Sequence, residues 1–252
     1  MKSLTKACIA ILLTVSIALF GFQSYANAQT KANLLIGPRP GAPYNALPRY
    51  NEDLTQTGTD PNKFPVEVTR HHIVPFNQLT TLWDGMADRG FLSNSIKPLR
   101  DSINSLLSSS NPPNGINLNS ADRTQIIQLL DDILAKKIVH DRNSTFTPPG
   151  LDSFRQVYSW IPGNLFIGPS NRSDDPGEGF ETNASIVVNN TTNWNKLTNT
   201  NTSITTFNNN PTAGNAQTAT NNYSAIITKR NEPYPLNANN WVRGNDGRYR
   251  LR

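Results

Sequence analysis

The chain has 252 residues and a single cysteine, Cys8, which lies at the start of an apolar run. Such a chain has no disulfide framework and no cysteine-based zinc site, so its stability must come from a hydrophobic core or a metal held by other ligands. Lys2 and Lys6 flank the cysteine side of the run, which extends from Ala7 to Phe22, and Ala26-Asn27-Ala28 has the small-x-small pattern of a cleavage site. Residues 1–28 are therefore expected to be a signal peptide, cleaved near Ala28-Gln29. The product would be secreted or periplasmic and free of thiol chemistry. It would have no stable membrane association, because no later segment approaches spanning length.

Punctuation divides the rest. Residues 29–65 carry Pro38, Pro40, Pro43, Pro48, Pro61 and Pro65 and read as an extended N-terminal arm. Val66 to Pro75 is β-branched and alternating at first, which predicts a strand. Leu79, Leu82, Trp83 and Met86 share one face of a helix over 76–89, and a second helix fits 95–107. After the breaker Asn111-Pro112-Pro113-Asn114-Gly115, Ser120 is placed to cap a helix over about 121–139, with Ile126, Ile127, Leu129, Leu130, Ile133, Leu134 and Ile138 in a broad apolar stripe. His140 would sit at that helix's C-terminal end, where it suits the macrodipole. Pro148-Pro149-Gly150 precedes a short helix at 151–159, and then a turn and a strand that ends near Pro169. Trp83 and Trp160 fit core positions.

Residues 182–222 differ in kind. Asn and Thr supply 24 of these 41 positions, and Lys196 is the one charge. The stretch reads as a linker or an irregular polar β region. Residues 223–252 regain aromatics and end in a β-hairpin with Asp246-Gly247 at its turn; Trp241 and Tyr249 are expected to pack, the alternative being that they flank nucleic acid or sugar.

Only three histidines are present: His71, His72 and His140. No phosphate-binding Gly-Lys loop, His-Glu-x-x-His or Gly-x-Ser-x-Gly pattern occurs after residue 28. Arg70-His71-His72-Ile73-Val74-Pro75 resembles the first motif of the His-Me finger nucleases, the HNH and endonuclease VII-like group. Asn164-Leu165-Phe166-Ile167-Gly168-Pro169, followed by Arg172-Ser173-Asp174-Asp175-Pro176-Gly177, resembles that group's return strand as it occurs in the nuclease modules of some secreted bacterial toxins. The resemblance covers about 70–76 and 160–181.

That resemblance implies an α+β fold: a ββα-metal finger with a helical insertion between its two strands, spanning 66–181, plus a polar C-terminal hairpin tail. It implies His72 as the general base that activates water against a phosphodiester. His71 would be a metal ligand, and Asn164 would steady the histidine loop or orient the base. A helix after the return strand would supply the last ligand, for which Asp175, Asp174 and Asn171 are the local candidates. Arg172 would bind a phosphate oxygen. The cofactor would be a divalent metal, Mg²⁺ first, with Mn²⁺, Ni²⁺ or Zn²⁺ as alternatives. The partners would be a nucleic acid substrate and, for a toxin, an immunity protein. Two departures stand out: 91 residues separate His72 from Asn164, and the cysteines that brace many such fingers are missing. The rival readings are a non-enzymatic extracellular binding module and a catalytically dead nuclease fold. Asp-Asp-Pro-Gly is also a natural turn.

The formal net charge of +5 is uneven. Residues 223–252 carry six basic and two acidic residues, whereas 29–222 carry 15 basic and 16 acidic. Attraction to phosphate is thus expected from the last thirty residues, whose deletion should weaken substrate binding and leave the metal site intact.

Overall fold

A computed structural model of the chain describes residues 29–50, 54, 66–108, 115–227 and 232–252. The expected signal peptide and the later part of the N-terminal arm, apart from Leu54, lie outside the described residues. Among those described, no helix is long and apolar enough to cross a membrane.

The fold is mixed α+β: three two-stranded sheets set into a helical body. β1 (Thr30–Ala32) pairs in parallel with β3 (Ile138–His140). β2 (Val68–His72) pairs antiparallel with β4 (Leu165–Pro169), with His71 opposite Phe166 and His72 opposite Leu165. β5 (Trp241–Arg243) and β6 (Tyr249–Leu251) form the terminal hairpin. Between β2 and β4 run α1 (Phe76–Asp88), α2 (Leu92–Ser95), α3 (Lys97–Leu107), α4 (Ser120–Leu134), β3 and α5 (Leu151–Ser159).

The helices follow their apolar spacing. α1 starts after Pro75, buries Leu79, Leu82, Trp83 and Met86, and stops before Gly90, whose φ of 69° breaks the helix. α4 is capped by Asn119, not Ser120: the Asn119 carboxamide accepts from Asp122 N–H at 2.8 Å. It ends at Leu134, five residues short of the expected end. Lys136 takes a left-handed φ of 56°, and Lys137 N–H returns to the Asp132 carbonyl. The chain then enters β3, so His140 is a strand residue and does not end α4; it lies instead against Asp88 at the end of α1. Gly150 opens α5 with φ 82°; a Cβ there would lie 2.5 Å from the Gln125 carbonyl, so only glycine fits.

The Asn/Thr-rich stretch is neither linker nor polar β structure. After a 3-10 turn at Thr182–Ala184 it forms α6 (Ser185–Val188), α7 (Thr191–Asn209) and α8 (Ala213–Ile226). α7 and α8 lie side by side and pack on α1, α2 and α3. Leu197, Thr200, Ile204 and Phe207 make the buried stripe of α7, and Ala216, Ala219, Tyr223 and Ile226 that of α8. The threonines do not compete with the helix, because their hydroxyls donate to earlier carbonyls within it: Thr200 to Lys196, Thr206 to Thr202, Thr220 to Ala216. Asn190 and Thr212 cap the two N-termini. Charge is not needed on such helices; a narrow apolar stripe and satisfied hydroxyls suffice.

The described part of the N-terminal arm is laced into the body and does not trail from it. Ala32, Leu34 and Ile36 are buried. Leu34 N–H donates to His140 Nδ1 at 3.1 Å, and Ile36 N–H to Asp84 Oδ1 at 2.8 Å. Trp83 Nε1–H donates to the Leu34 carbonyl, and Arg155 donates twice to that of Leu35. Because His140 Nδ1 accepts, its Nε2 carries the hydrogen and faces Asp88 at 3.2 Å. Replacing His140 by Leu leaves the buried Leu34 amide without an acceptor, an expected loss of about 1–3 kcal/mol. Hydrogen exchange should show it first as faster exchange at Leu34 and Ala32.

Candidate functional site

Two local devices set the β2–β4 pair. The first is Asn164, fully buried at the end of a 3-10 turn over Pro162–Asn164. Its carboxamide accepts from Val74 N–H at 2.7 Å and donates to the Val74 carbonyl at 2.9 Å, while its backbone carbonyl takes Ile73 N–H. A side chain thus continues the ladder one step past His72 and holds the turn into α1. The second is Gly168, where a Cβ would meet the Trp241 ring at 2.6 Å. Glycine lets that ring lie flat on β4.

Pairing sends the rings of His71 and His72 to opposite faces of β2. His72 leans on Trp160, with centroids 4.6 Å apart, and its Nε2 meets the Ser159 carbonyl at 2.8 Å. A carbonyl can only accept, so Nε2 carries the hydrogen and Nδ1 keeps its lone pair. Burial, offset in part by the Ser159 bond and reinforced by the Arg39 and His71 charges, lowers the His72 pKa to about 4.

His71 stacks on Phe166 at 5.1 Å, and its Nε2 meets the Pro169 carbonyl at 3.1 Å. Its Nδ1 faces Asp175 Oδ2 at 3.5 Å. Burial, followed by the Arg172 charge, pushes its pKa down, although the Pro169 bond and Asp175 oppose this. The neutral ring therefore points a lone pair at a carboxylate with no hydrogen between them. This is the one pair among the sequence candidates that could hold a cation together. No group of three or more His, Cys, Asp or Glu side chains among the described residues is arranged to hold a metal ion.

The other candidates are placed differently. Arg172 does not reach out to phosphate. It is 3% exposed, with its guanidinium 5.4 Å from the ring centroids of both Phe166 and Trp241. Its Nε donates to Asp174 Oδ1 at 3.0 Å, and a terminal nitrogen lies 2.8 Å from Glu181 Oε2, itself buried. Asp174 is committed as well, since its second oxygen accepts from Leu251 N–H at 2.8 Å. Asn171 is exposed and contributes its backbone carbonyl to Tyr249 N–H. All three serve to dock the terminal hairpin. None of the acidic candidates is on a helix: they occupy the loop between β4 and the 3-10 turn, and Asp175 Oδ1 accepts from Gly177 N–H as a turn residue does.

The hairpin is correspondingly no polar tail. Trp241, Tyr249 and Leu251 are buried, and the nearby Tyr234 exchanges backbone bonds with Leu165 and Ile167 of β4. Deleting residues 223–252 would uncover Phe166 and strand Arg172, so the expectation of a separable basic end is overturned.

Four features at His72 were not anticipated. These are the Ser159 carbonyl, the half-buried rings of Trp160 and Phe76, and Arg39, whose guanidinium lies 5.1 Å from the Phe76 centroid and 6.0 Å from that of Trp160. Trp160 is a wall of this site, not a core residue. The one local sign was Pro38-Arg39-Pro40, an arginine in a stiff frame.

No family model matches the chain, and no solved structure matches it. A curated relative, protein p9 of Acyrthosiphon pisum secondary endosymbiont phage 1, is 36% identical over 132 residues, covering 49% of this chain and 35% of the phage protein. The chain thus spans about a third of the length of that relative, whose name carries no activity.

Two outcomes follow from this geometry. Arg172→Ala leaves the buried Glu181 without its cation and removes one of the two partners of the half-buried Asp174, and should cost about 3–5 kcal/mol in denaturant unfolding. A surface phosphate ligand would cost next to nothing. His72, with a folded pKa of about 4 below its unfolded 6.5, stabilises the fold above pH 6.5 and loses that contribution as pH falls towards 4. The loss is on the order of 2–3 kcal/mol. Thermal melts with chelator present should fall less steeply over this window in His72→Gln than in the unaltered protein.

Proposed function

We propose that this is a secreted, metal-dependent nuclease with a ββα-metal type of site, in which His72 is the general base for hydrolysis of DNA or RNA. The observation that carries the reading is the closure of β2 onto β4 by Asn164. This closure holds His72 at the strand end with Nε2 bound to the Ser159 carbonyl and Nδ1 unprotonated. An imidazole fixed in that tautomer can take a proton from water at Nδ1, and a pKa near 4 keeps it unprotonated through the neutral range.

His71 and Asp175 fit a divalent ion, since a lone pair and a carboxylate oxygen stand side by side at 3.5 Å. Bound there, such an ion supplies Lewis-acid stabilisation of charge on the phosphate and leaving oxygen. A nitrogen–oxygen donor pair favours Mn²⁺, Ni²⁺ or Zn²⁺ over Mg²⁺, whose preference is for oxygen. With two protein donors, the remaining positions fall to water and substrate. Asn164 acts on the loop and has no part in proton transfer.

The opposed faces of His71 and His72 favour a second reading, a nuclease-like fold that binds nucleic acid without cleaving it. Purified protein incubated with plasmid DNA and with RNA, across Mn²⁺, Ni²⁺, Zn²⁺, Mg²⁺ and chelator, separates the two. Cleavage that needs metal and disappears in His72→Ala is the expected result. Binding with no cleavage under any ion selects the second reading. In calorimetric titration with Mn²⁺ or Zn²⁺ alone, Asp175→Asn and His71→Ala should each weaken binding by at least about tenfold. If the protein acts as a toxin, the exposed rim of this site is where an immunity protein would bind.

A further inference from the structure

We propose that Arg39 is the group that takes the substrate's phosphate at the His72 face, and that the N-terminal segment carrying it is a wall of the site.

Three observations converge. The first is position. Arg39 lies over the faces of Phe76 and Trp160, and Trp160 is the ring on which His72 leans. A phosphate on this guanidinium would therefore lie on the same side of β2 as His72. The second is uncommitted charge. Arg49, Arg100, Arg142, Arg155 and Arg172 each face a carboxylate; Arg70, on the same face of β2 as His72, is taken up by the Asn45 carbonyl and the Tyr44 ring; Arg39 pairs with no carboxylate among the described residues and is exposed. Aromatic faces attract the guanidinium weakly and leave its planar fork of N–H donors available, the arrangement suited to a phosphate. The third is stiffness. Pro38 and Pro40 restrict the backbone on either side. The segment is tied before Arg39 by Ile36 to Asp84 and after it by Trp160 Nε1–H to the Pro40 carbonyl at 2.9 Å. An arginine on a segment pinned at both ends, with its charge free, is pre-organised for an anion.

This replaces Arg172, whose charge is spent internally. Its consequence for cleavage rests on the reading of His72 as the base; its consequence for binding does not.

The test uses the full protein beside Arg39→Gln, Arg39→Lys and Arg49→Gln, the last removing the same charge from elsewhere on the arm. Each is titrated with inorganic phosphate and with a short oligothymidylate, followed by tryptophan fluorescence, and each is assayed for cleavage. Arg39→Gln is expected to weaken both ligands by at least about tenfold and to raise KM. Arg39→Lys should recover part of the binding, and Arg49→Gln should bind as the unaltered protein does. Unchanged binding in Arg39→Gln, or an equal loss in Arg49→Gln, overturns the proposal. Binding lost in Arg39→Gln, in a protein that shows no cleavage under any of the metals, leaves the phosphate site standing and removes the nuclease reading. Cleavage with unaltered KM in Arg39→Gln does the reverse.

Discussion

The pairing of β2 with β4, closed by Asn164, is the constraint on which the rest of the structure depends. Between its two halves the described residues make five α-helices and a strand, so the ladder is a long-range contact with a large loop to close. Five residue pairs alone make a short ribbon, which is marginal in water. The carboxamide of Asn164 lengthens it by bonding both backbone groups of Val74 in a dry interior, where leaving either unpaired would be costly. Tyr234 adds a third backbone partner on the far edge of β4, and Trp241 covers the face that Gly168 opens. The strand that carries the histidines is thus held by segments from before, within and after the helical body.

The two faces of β2 carry different electrostatics. On one face, Arg172 is wedged between Phe166 and Trp241 and matched by Asp174 and Glu181. Such a cluster contributes less to net stability than to specifying one arrangement of the hairpin, since each charge pays a desolvation cost that its partners only offset. It also leaves Asp175 as the acidic side chain beside His71. On the other face, His72 leans on Trp160, and the exposed Arg39 lies over Trp160 and Phe76.

Much of the fold was legible locally. The strand before Pro75, the helix from Phe76, the short helix after Gly150 and the Asp-Gly hairpin all follow from period, breakers and turn residues, and each occupies nearly the expected range. Asn164 was legible only through resemblance. The errors have definite causes. The helix stopping at Leu134 was overrun because Ile138 continues the apolar stripe, and Lys136 is an unusual residue for a left-handed stop. Residues 182–222 were misread by composition. The spacing of Leu197, Ile204 and Phe207 was present, but Asn and Thr around it outweighed a stripe too narrow to dominate. Tertiary packing on α1 and α3 makes that narrow stripe sufficient.

By itself the sequence determined the elements and the residue types available at the strand end: two histidines, an asparagine, a run of acids and several arginines. Periodicity and turn chemistry act over a few residues, and they can be read one segment at a time. Only the tertiary structure decided which arginine is spent and which is free. Arg172 is buried because Trp241, far along the chain, lies on it, whereas Arg39 stays exposed and meets no carboxylate among the described residues. Burial and charge pairing depend on what folds against a side chain, and no local pattern around Arg172 or Arg39 encodes that neighbour.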